Sequence, residues 1–177
     1  MIDIVDEKGK IIGKTTRGEA YEKALLHPAV HVAVFDSRRR LLIQQRSSQK
    51  SIFPLYWDIS VGEHRKPAES FKAAAIRGLA EELSIKLPFN LTEIRGKHVQ
   101  KSDFQRDGRT FKEYELVVLY GTIYDGRIEI DPEEVKEVRF VYLAQLKDMT
   151  RSNQFTPWGL EEIKTLLKNP EIDKRLR

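Results

Sequence analysis

The sequence predicts an α/β protein, of the α+β type, in which a mixed β-sheet is sandwiched between helices and preceded by an N-terminal β-hairpin. Three observations support this class. Strand-like runs alternate with helical segments, the segment 69–83 has the apolar period of a helix, and 40% of the 177 residues are hydrophobic. This length and composition are sufficient for one domain with a substantial core, so we expect a single domain over 1–177.

The first third of the chain carries mainly strand signals. Isoleucines flank the turn-like segment 6–9 and predict the N-terminal hairpin, and residues 18–26 follow as a short helix. β-Type runs at 31–35, 41–45 and 57–61 then predict three strands joined by polar segments.

The segment 69–83 predicts a helix. Phe71, Ala75, Leu79 and Leu83 recur every four residues, which places them on one buried stripe. The other faces are left to charged side chains.

The last part of the chain predicts a polar stretch from Pro88, three strands and two helices. The Asp125-Gly126 pair is a hairpin signal between the first two strands. Thr156 is expected to cap the last helix, with Pro157 at its first position. The predicted strands are 114–120, 123–130 and 138–142, and the predicted helices are 143–148 and 156–168.

Composition narrows the classes of function. The net charge of +4 is a small excess within 33% charged residues of both signs, so the sequence argues against nucleic-acid binding and suits a small phosphorylated substrate. The absence of cysteine excludes disulfides and thiolate sites. Because no secretory signal or membrane-spanning run is recognisable, we expect a cytoplasmic protein without a membrane partner. The sequence leaves open whether two copies form a homodimer.

The charged faces of the 69–83 helix indicate a metal site. Glu69, Arg77 and Glu81 are spaced by eight and four residues, so they lie on roughly one side, with Glu82 adjacent. Converging carboxylates form an oxygen-rich site that suits Mg²⁺ or Mn²⁺ bridging a diphosphate, and an arginine nearby can orient one of them. The alternative is a solvated face with ordinary intrahelical ion pairs.

The segment 62–85 resembles the Nudix box, whose pattern is Gly-x5-Glu-x7-Arg-Glu-aliphatic-x-Glu-Glu-x-Gly-aliphatic. Here it reads GEHRKPAESFKAAAIRGLAEELSI. Alignment on Glu69 also matches Arg77, Leu79, Glu81, Glu82 and Ile85, whereas Glu63, Gly78 and Ser84 depart from the pattern. The resemblance implies a Nudix fold and metal-dependent hydrolysis of a diphosphate linkage. In this family the glutamate that Gly78 replaces commonly belongs to the acidic metal-binding cluster.

Outside the box the chain is similar to the Nudix branch that contains isopentenyl-diphosphate isomerase. The similarity implies that His27, His64, Glu113 and Glu115 are candidate metal ligands. The catalytic cysteine of the isomerase is replaced by Gly62, which argues against isomerase activity. The matching positions are Leu26-His27, Arg46, Lys50, Trp57, Ser60-Val61, His64, Glu113-x-Glu115 and Thr156-Pro157-Trp158.

The leading hypothesis is therefore a pyrophosphohydrolase that uses Mg²⁺, with Mn²⁺ as the alternative, on a small molecule such as a nucleoside diphosphate derivative. Isomerase-like activity and a non-catalytic nucleotide- or diphosphate-binding module are the competing hypotheses. His31 is interpreted as structural because it opens a strand.

The roles follow from the two resemblances. Glu81, Glu82 and Glu115 would hold the metal together with the Gly62 carbonyl, and Glu115 or Glu113 would be the general base. Arg46 and Lys50 would hold the outer diphosphate oxygens. Glu69 and Arg77 would orient the ligands.

Overall fold

The computed structural model describes residues 1–86, 88–106, 108–152 and 154–169, together with 172 and 176. It contains nine strands, four α-helices and one 3₁₀ turn in these ranges. The strands are β1 Ile2–Val5, β2 Ile11–Thr15, β3 His27–Phe35, β4 Arg40–Arg46, β5 Trp57–Asp58, β6 Val61–His64, β7 Thr92–Arg106, β8 Arg109–Ile123 and β9 Val135–Tyr142. The helices are α1 Arg17–Glu22, α2 Phe71–Leu83, α3 Leu143–Met149 and α4 Pro157–Lys168, with the 3₁₀ turn at Thr150–Ser152.

The strands form an N-terminal hairpin and a mixed sheet. Strands β1 and β2 pair antiparallel, as predicted. In the main sheet β3 pairs in parallel with β8 and antiparallel with β6, while β4 pairs antiparallel with β5 and β9. β7 pairs antiparallel with β8.

Strand β3 is buried on both faces and contributes to two apolar layers. Its even-numbered residues Val30, Val32 and Val34 pack with the buried side of α2. Its odd-numbered residues Ala33 and Phe35 pack in a second layer with side chains of α3 and α4. This alternation follows from the two-residue period of a strand, and it confirms the prediction of a sheet between helices.

The ends of the two long helices follow from local sequence. The Ser70 hydroxyl accepts a hydrogen bond from Ala73 N at 3.1 Å and begins α2. Ser84 ends that helix with a φ of 55°, in the left-handed region. α4 begins with Thr156 as its cap and Pro157 at its first position, as predicted.

Three predictions of secondary structure were wrong. The stretch after Pro88 contains the long strand β7, whose polar composition reflects its position at the end of the sheet path, beyond β8. The predicted strand 57–61 is divided into β5 and β6, which pair with different neighbours.

The predicted strand 123–130 is absent after Ile123, where β8 ends. Its residues Ile128 and Ile130 pack instead against the α2 layer. Glu129 N donates to the carbonyl of Leu83 at 3.2 Å, so this segment covers the end of α2.

The helices in the described part of the chain include none with the length and hydropathy of a membrane-spanning segment.

Candidate functional site

A cavity of about 310 Å³ lies where β3, β6 and β8 meet α2 and the loop after β4. Its cationic lining residues are Arg17, Arg46 and Lys50. Among the described residues, seven lining side chains carry carboxyl groups: Glu63, Glu81, Glu82, Glu113, Glu115, Asp131 and Glu134. The cavity is therefore rich in potential oxygen ligands.

The strand registers bring four predicted metal ligands together. His27 lies opposite Glu115 in the β3–β8 pair, and His64 lies opposite Ala29 in the β3–β6 pair. Glu113 projects on the same side of β8 as Glu115 because the two are separated by one residue. One ligand atom from each of His27, His64, Glu113 and Glu115 lies within 4.8 Å of the others.

The four residues His27, His64, Glu113 and Glu115 form a His/Glu cluster in which some ligand atoms have no hydrogen-bond partner among the described residues. His64 Nε2 lies 3.2 Å from Glu113 Oε1 and 3.4 Å from Glu115 Oε1. Within the described part of the chain, His27 Nε2 and Glu113 Oε2 are buried without a hydrogen-bond partner. Because buried polar atoms are rarely left unpaired, two such atoms in one cluster fit the ligand set of a cation.

Burial and neighbouring charges shift the pKa values of three residues in this cluster. Burial, reinforced by the charge of His64, lowers the pKa of His27 to about 4, which leaves the ring neutral and able to bind metal. Burial raises the pKa of Glu115 to about 7, and the nearby Glu113 adds to this shift. For Glu113 itself burial opposes ionisation, but the hydrogen bond and charge of His64 lower its pKa.

The adjacent glutamates of α2 occupy different environments. Glu82 is 6% exposed and accepts a hydrogen bond from Gln44 Nε2 at 2.9 Å. Burial raises the pKa of Glu82 to about 8, with the charge of Glu63 contributing. The Glu81 side chain is 52% exposed at the cavity edge and pairs with Arg77 at 3.1 Å and Lys66 at 3.6 Å.

Arg77 organises the wall behind the cavity. Its guanidinium donates two hydrogen bonds to Glu69, at 2.9 and 3.0 Å, and lies 2.8 Å from Glu63. It also donates to the carbonyl of His64 at 2.9 Å and does not line the cavity. Arg77 thus connects α2 to β6.

Gly78, which departs from the box, lies at a close contact between α2 and β6. A Cβ atom here would be 2.7 Å from Val61 Cγ1 and 3.2 Å from Glu63 Cβ. A glutamate therefore has no space in this packing. The glycine is explained by the close approach of the helix and the strand.

The predicted diphosphate-binding cations both reach the cavity. Arg46 Nη1 lies 3.5 Å from Asp58 Oδ2, and its guanidinium lies 5.5 Å from the ring centroid of Trp158. Lys50 forms an ion pair with Glu134, and burial followed by the charge of Arg46 lowers its pKa. Both positive charges therefore face the same space.

Sequence reasoning missed a second group of polar residues. Glu162 of α4 is fully buried and its Oε1 lies 3.1 Å from His31 Nδ1, 3.0 Å from His98 Nε2 and 2.6 Å from Gln100 Nε2. Burial disfavours the charged forms of this group. Even so, the hydrogen bonds lower the pKa of Glu162 to about 2 and raise that of His31 to about 9. The two-residue spacing of His98 and Gln100, which places both side chains on one face of β7, is the local sequence signal for part of this group.

Comparison with known proteins agrees with this architecture. The NUDIX domain model matches residues 25–159. A protein named isopentenyl-diphosphate Delta-isomerase from Nocardia farcinica is 35% identical over 163 residues, which cover 90% of each chain. A protein from Listeria monocytogenes named an uncharacterized Nudix hydrolase is 31% identical over 157 residues, with 88% of each chain covered.

Solved structures share the fold. A Deinococcus radiodurans protein superposes with a TM-score of 0.73 at 19% identity, covering 93% of this chain and 97% of the other. The NUDIX domain of Shewanella oneidensis NrtR, solved with ADP ribose, gives a TM-score of 0.57 at 19% identity and covers 92% and 100%. The family model covers most of the chain, and two relatives with more than 30% identity span nearly its whole length. The chain therefore belongs to the Nudix family.

Proposed function

We propose that the protein is a metal-dependent hydrolase that cleaves a diphosphate linkage in a small molecule, such as a nucleoside diphosphate derivative, by attack of water. The observation that carries this proposal is the His/Glu cluster in a cavity with seven carboxyl groups. The cationic lining residues, which are Arg17, Arg46, Lys50 and the protonated His31, are fewer than these carboxyl groups. A diphosphate would be repelled unless divalent cations neutralised the carboxylates.

The residues present fit two kinds of metal position. His27, His64, Glu113 and Glu115 combine imidazole and carboxylate donors, a set that favours Mn²⁺ over Mg²⁺. Glu82 and Glu81, with the Gly62 carbonyl, supply only oxygen atoms, which suits Mg²⁺. Such an ion, when bound, supplies charge neutralisation for the diphosphate and a lowered pKa for the attacking water.

The chain's own groups then have distinct tasks. We assign Glu115 as the general base in preference to Glu113, because Glu113 is the carboxylate nearer to both His64 and His27. Arg46 and Lys50 hold the outer diphosphate oxygens through a bidentate guanidinium and a mobile ammonium. Arg77 and Glu69 hold α2 in position against β6.

The test is a substrate panel with Mg²⁺ or Mn²⁺, covering nucleoside di- and triphosphates, nucleotide sugars, dinucleotides and prenyl diphosphates. Release of phosphate or nucleoside monophosphate is measured for the wild type, Glu115→Gln and Glu82→Gln. Both variants are expected to lose at least about a hundredfold in kcat, since loss of a general base alone typically costs this much. Glu161→Gln is the matched control, because Glu161 is a half-exposed glutamate of α4 paired with Arg95.

Equal activity in the wild type and both cavity variants would refute the assignment. Binding of substrates that depends on metal, with no turnover after long incubation, would instead identify a binding module.

Isomerase-like activity is the second candidate, favoured by the Nocardia farcinica relative. It predicts interconversion of isopentenyl and dimethylallyl diphosphates without phosphate release. Position 62 has space for a thiol, because a Cβ there would lie 3.5 Å from His31 Cδ2 in ordinary contact. We expect no isomerisation by the wild type, since Gly62 supplies no acid or base.

A further inference from the structure

His31 is buried in β3 yet forms part of the wall of the cavity described above. Its side chain is 2% exposed, and it lies directly opposite Gly62 in the β3–β6 pair. No role in the site was expected for it from the sequence. The ring shares the cavity wall with His64, Glu113 and Glu115 of the His/Glu cluster.

The two ring nitrogens of His31 have different environments. Nδ1 lies 3.1 Å from Glu162 Oε1, whereas Nε2 has no hydrogen-bond partner among the described residues. A Cβ at Gly62 would lie 3.5 Å from Cδ2 and 3.8 Å from Nε2 of this ring. The missing side chain of Gly62 therefore leaves the Nε2 edge open toward the cavity.

Glu162 fixes the ring in this orientation. Its Oε1 atom also contacts His98 and Gln100, so the carboxylate is held from β7 as well as from β3. A ring held by such an anchored carboxylate loses little conformational entropy when its free nitrogen meets a ligand.

We propose that His31, positioned by Glu162, contacts the diphosphate of the substrate through Nε2. The inference rests on the proposed function and adds a binding residue to the same site. Glu162 is a positioning residue, since it acts through His31. The imidazolium form, stabilised by the Glu162 carboxylate, gives Nε2 a proton to donate to a phosphate oxygen.

The experiment measures binding of methylenediphosphonate, a diphosphate analogue that cannot be hydrolysed, by calorimetry in Mn²⁺ or Mg²⁺. His31→Asn is expected to weaken binding by about tenfold to a hundredfold, the usual range for one charge-assisted hydrogen bond. Glu161→Gln is the matched control, because Glu161 neighbours Glu162 on α4 but pairs with Arg95 and does not line the cavity. Its affinity should stay within about twofold of the wild type.

Gly62→Ala provides a second variant that leaves His31 and its hydrogen bond intact. The added methyl makes ordinary contacts and keeps the backbone carbonyl, so the melting temperature should be unchanged while affinity falls. This variant decides the question if His31→Asn does not fold. Unchanged affinity in Gly62→Ala and in a folded His31→Asn would overturn the proposal, as would equal losses in His31→Asn and Glu161→Gln.

Turnover separates this inference from the proposed function. If the wild type binds the analogue and His31→Asn weakens binding, but no panel substrate is hydrolysed, the binding role stands and hydrolysis fails. If the wild type hydrolyses a substrate and His31→Asn leaves both KM and analogue affinity unchanged, hydrolysis stands and the binding role fails. Failure of the wild type to bind the analogue with either metal overturns the binding role.

Discussion

Substitution of Gly78 by alanine tests whether this departure from the box is a packing requirement. Alanine in a helix interior is favoured over glycine by about 1 kcal/mol. Here its Cβ would lie 2.7 Å from Val61 Cγ1, so the Val61 side chain, β6 or the helix must shift. Overpacking of this kind costs about 1–3 kcal/mol. We therefore expect Gly78→Ala to change the free energy of unfolding by a net loss of about 0–2 kcal/mol.

Gly18 provides the matched control in α1. It is exposed, and a Cβ there would meet no atom within 4 Å. Gly18→Ala should gain the same helix propensity of about 1 kcal/mol without overpacking, so the two variants should differ by the overpacking cost of about 1–3 kcal/mol in urea-induced unfolding. If Gly78→Ala stabilised the protein as much as Gly18→Ala, the packing explanation would be refuted. Gly78→Glu should lose more stability still, without any gain in hydrolysis.

Three further outcomes are expected. Because burial raises the folded pKa of Glu82 to about 8 from 4.5, its stabilising contribution is complete below pH 4.5 and is lost as the pH rises through 8. The metal-free wild type should therefore lose more unfolding free energy than Glu82→Gln between these pH values in urea titrations, and parallel curves would contradict this. Mn²⁺ should raise the melting temperature of the wild type but not of His64→Ala, and a similar rise in both would exclude the His/Glu cluster as its site. Arg77→Lys cannot reproduce the paired hydrogen bonds to Glu69 and should lose about tenfold to a hundredfold in activity at limiting Mn²⁺, with unchanged activity arguing against its orienting role.

The fold could be predicted from the sequence where local patterns determine it. The four-residue period of α2 and the Thr156-Pro157 start of α4 identify these helices without any tertiary information. Strand β7 could not be recognised in this way, because it pairs with β8 on one side and its polar residues lack a clear alternation. Ile128 and Ile130 had the composition of a strand, but they cover α2 instead.

The candidate site was predictable only through resemblance and spacing. Glu81 and Glu82 are neighbours in sequence, yet one lies at the cavity edge and the other is buried against Gln44. The contact of His31 with Glu162 spans 131 residues, so no local pattern indicates it. What sequence alone cannot supply is the register of β3 against β6 and β8, which decides which histidines meet which carboxylates.

Position 62 connects the two activities that the relatives' names suggest. The chain has glycine where the isomerase resemblance expects a thiol, and that absence exposes the Nε2 edge of His31. A side chain at this position would cover Nε2 of His31. A thiol at position 62 and an Nε2 atom that faces the cavity therefore exclude each other. Isomerisation needs an acid or a base at this position, whereas the proposed attack of water on phosphorus uses no side chain there. Gly62 is thus consistent with a change from chemistry at carbon to chemistry at phosphorus within one fold.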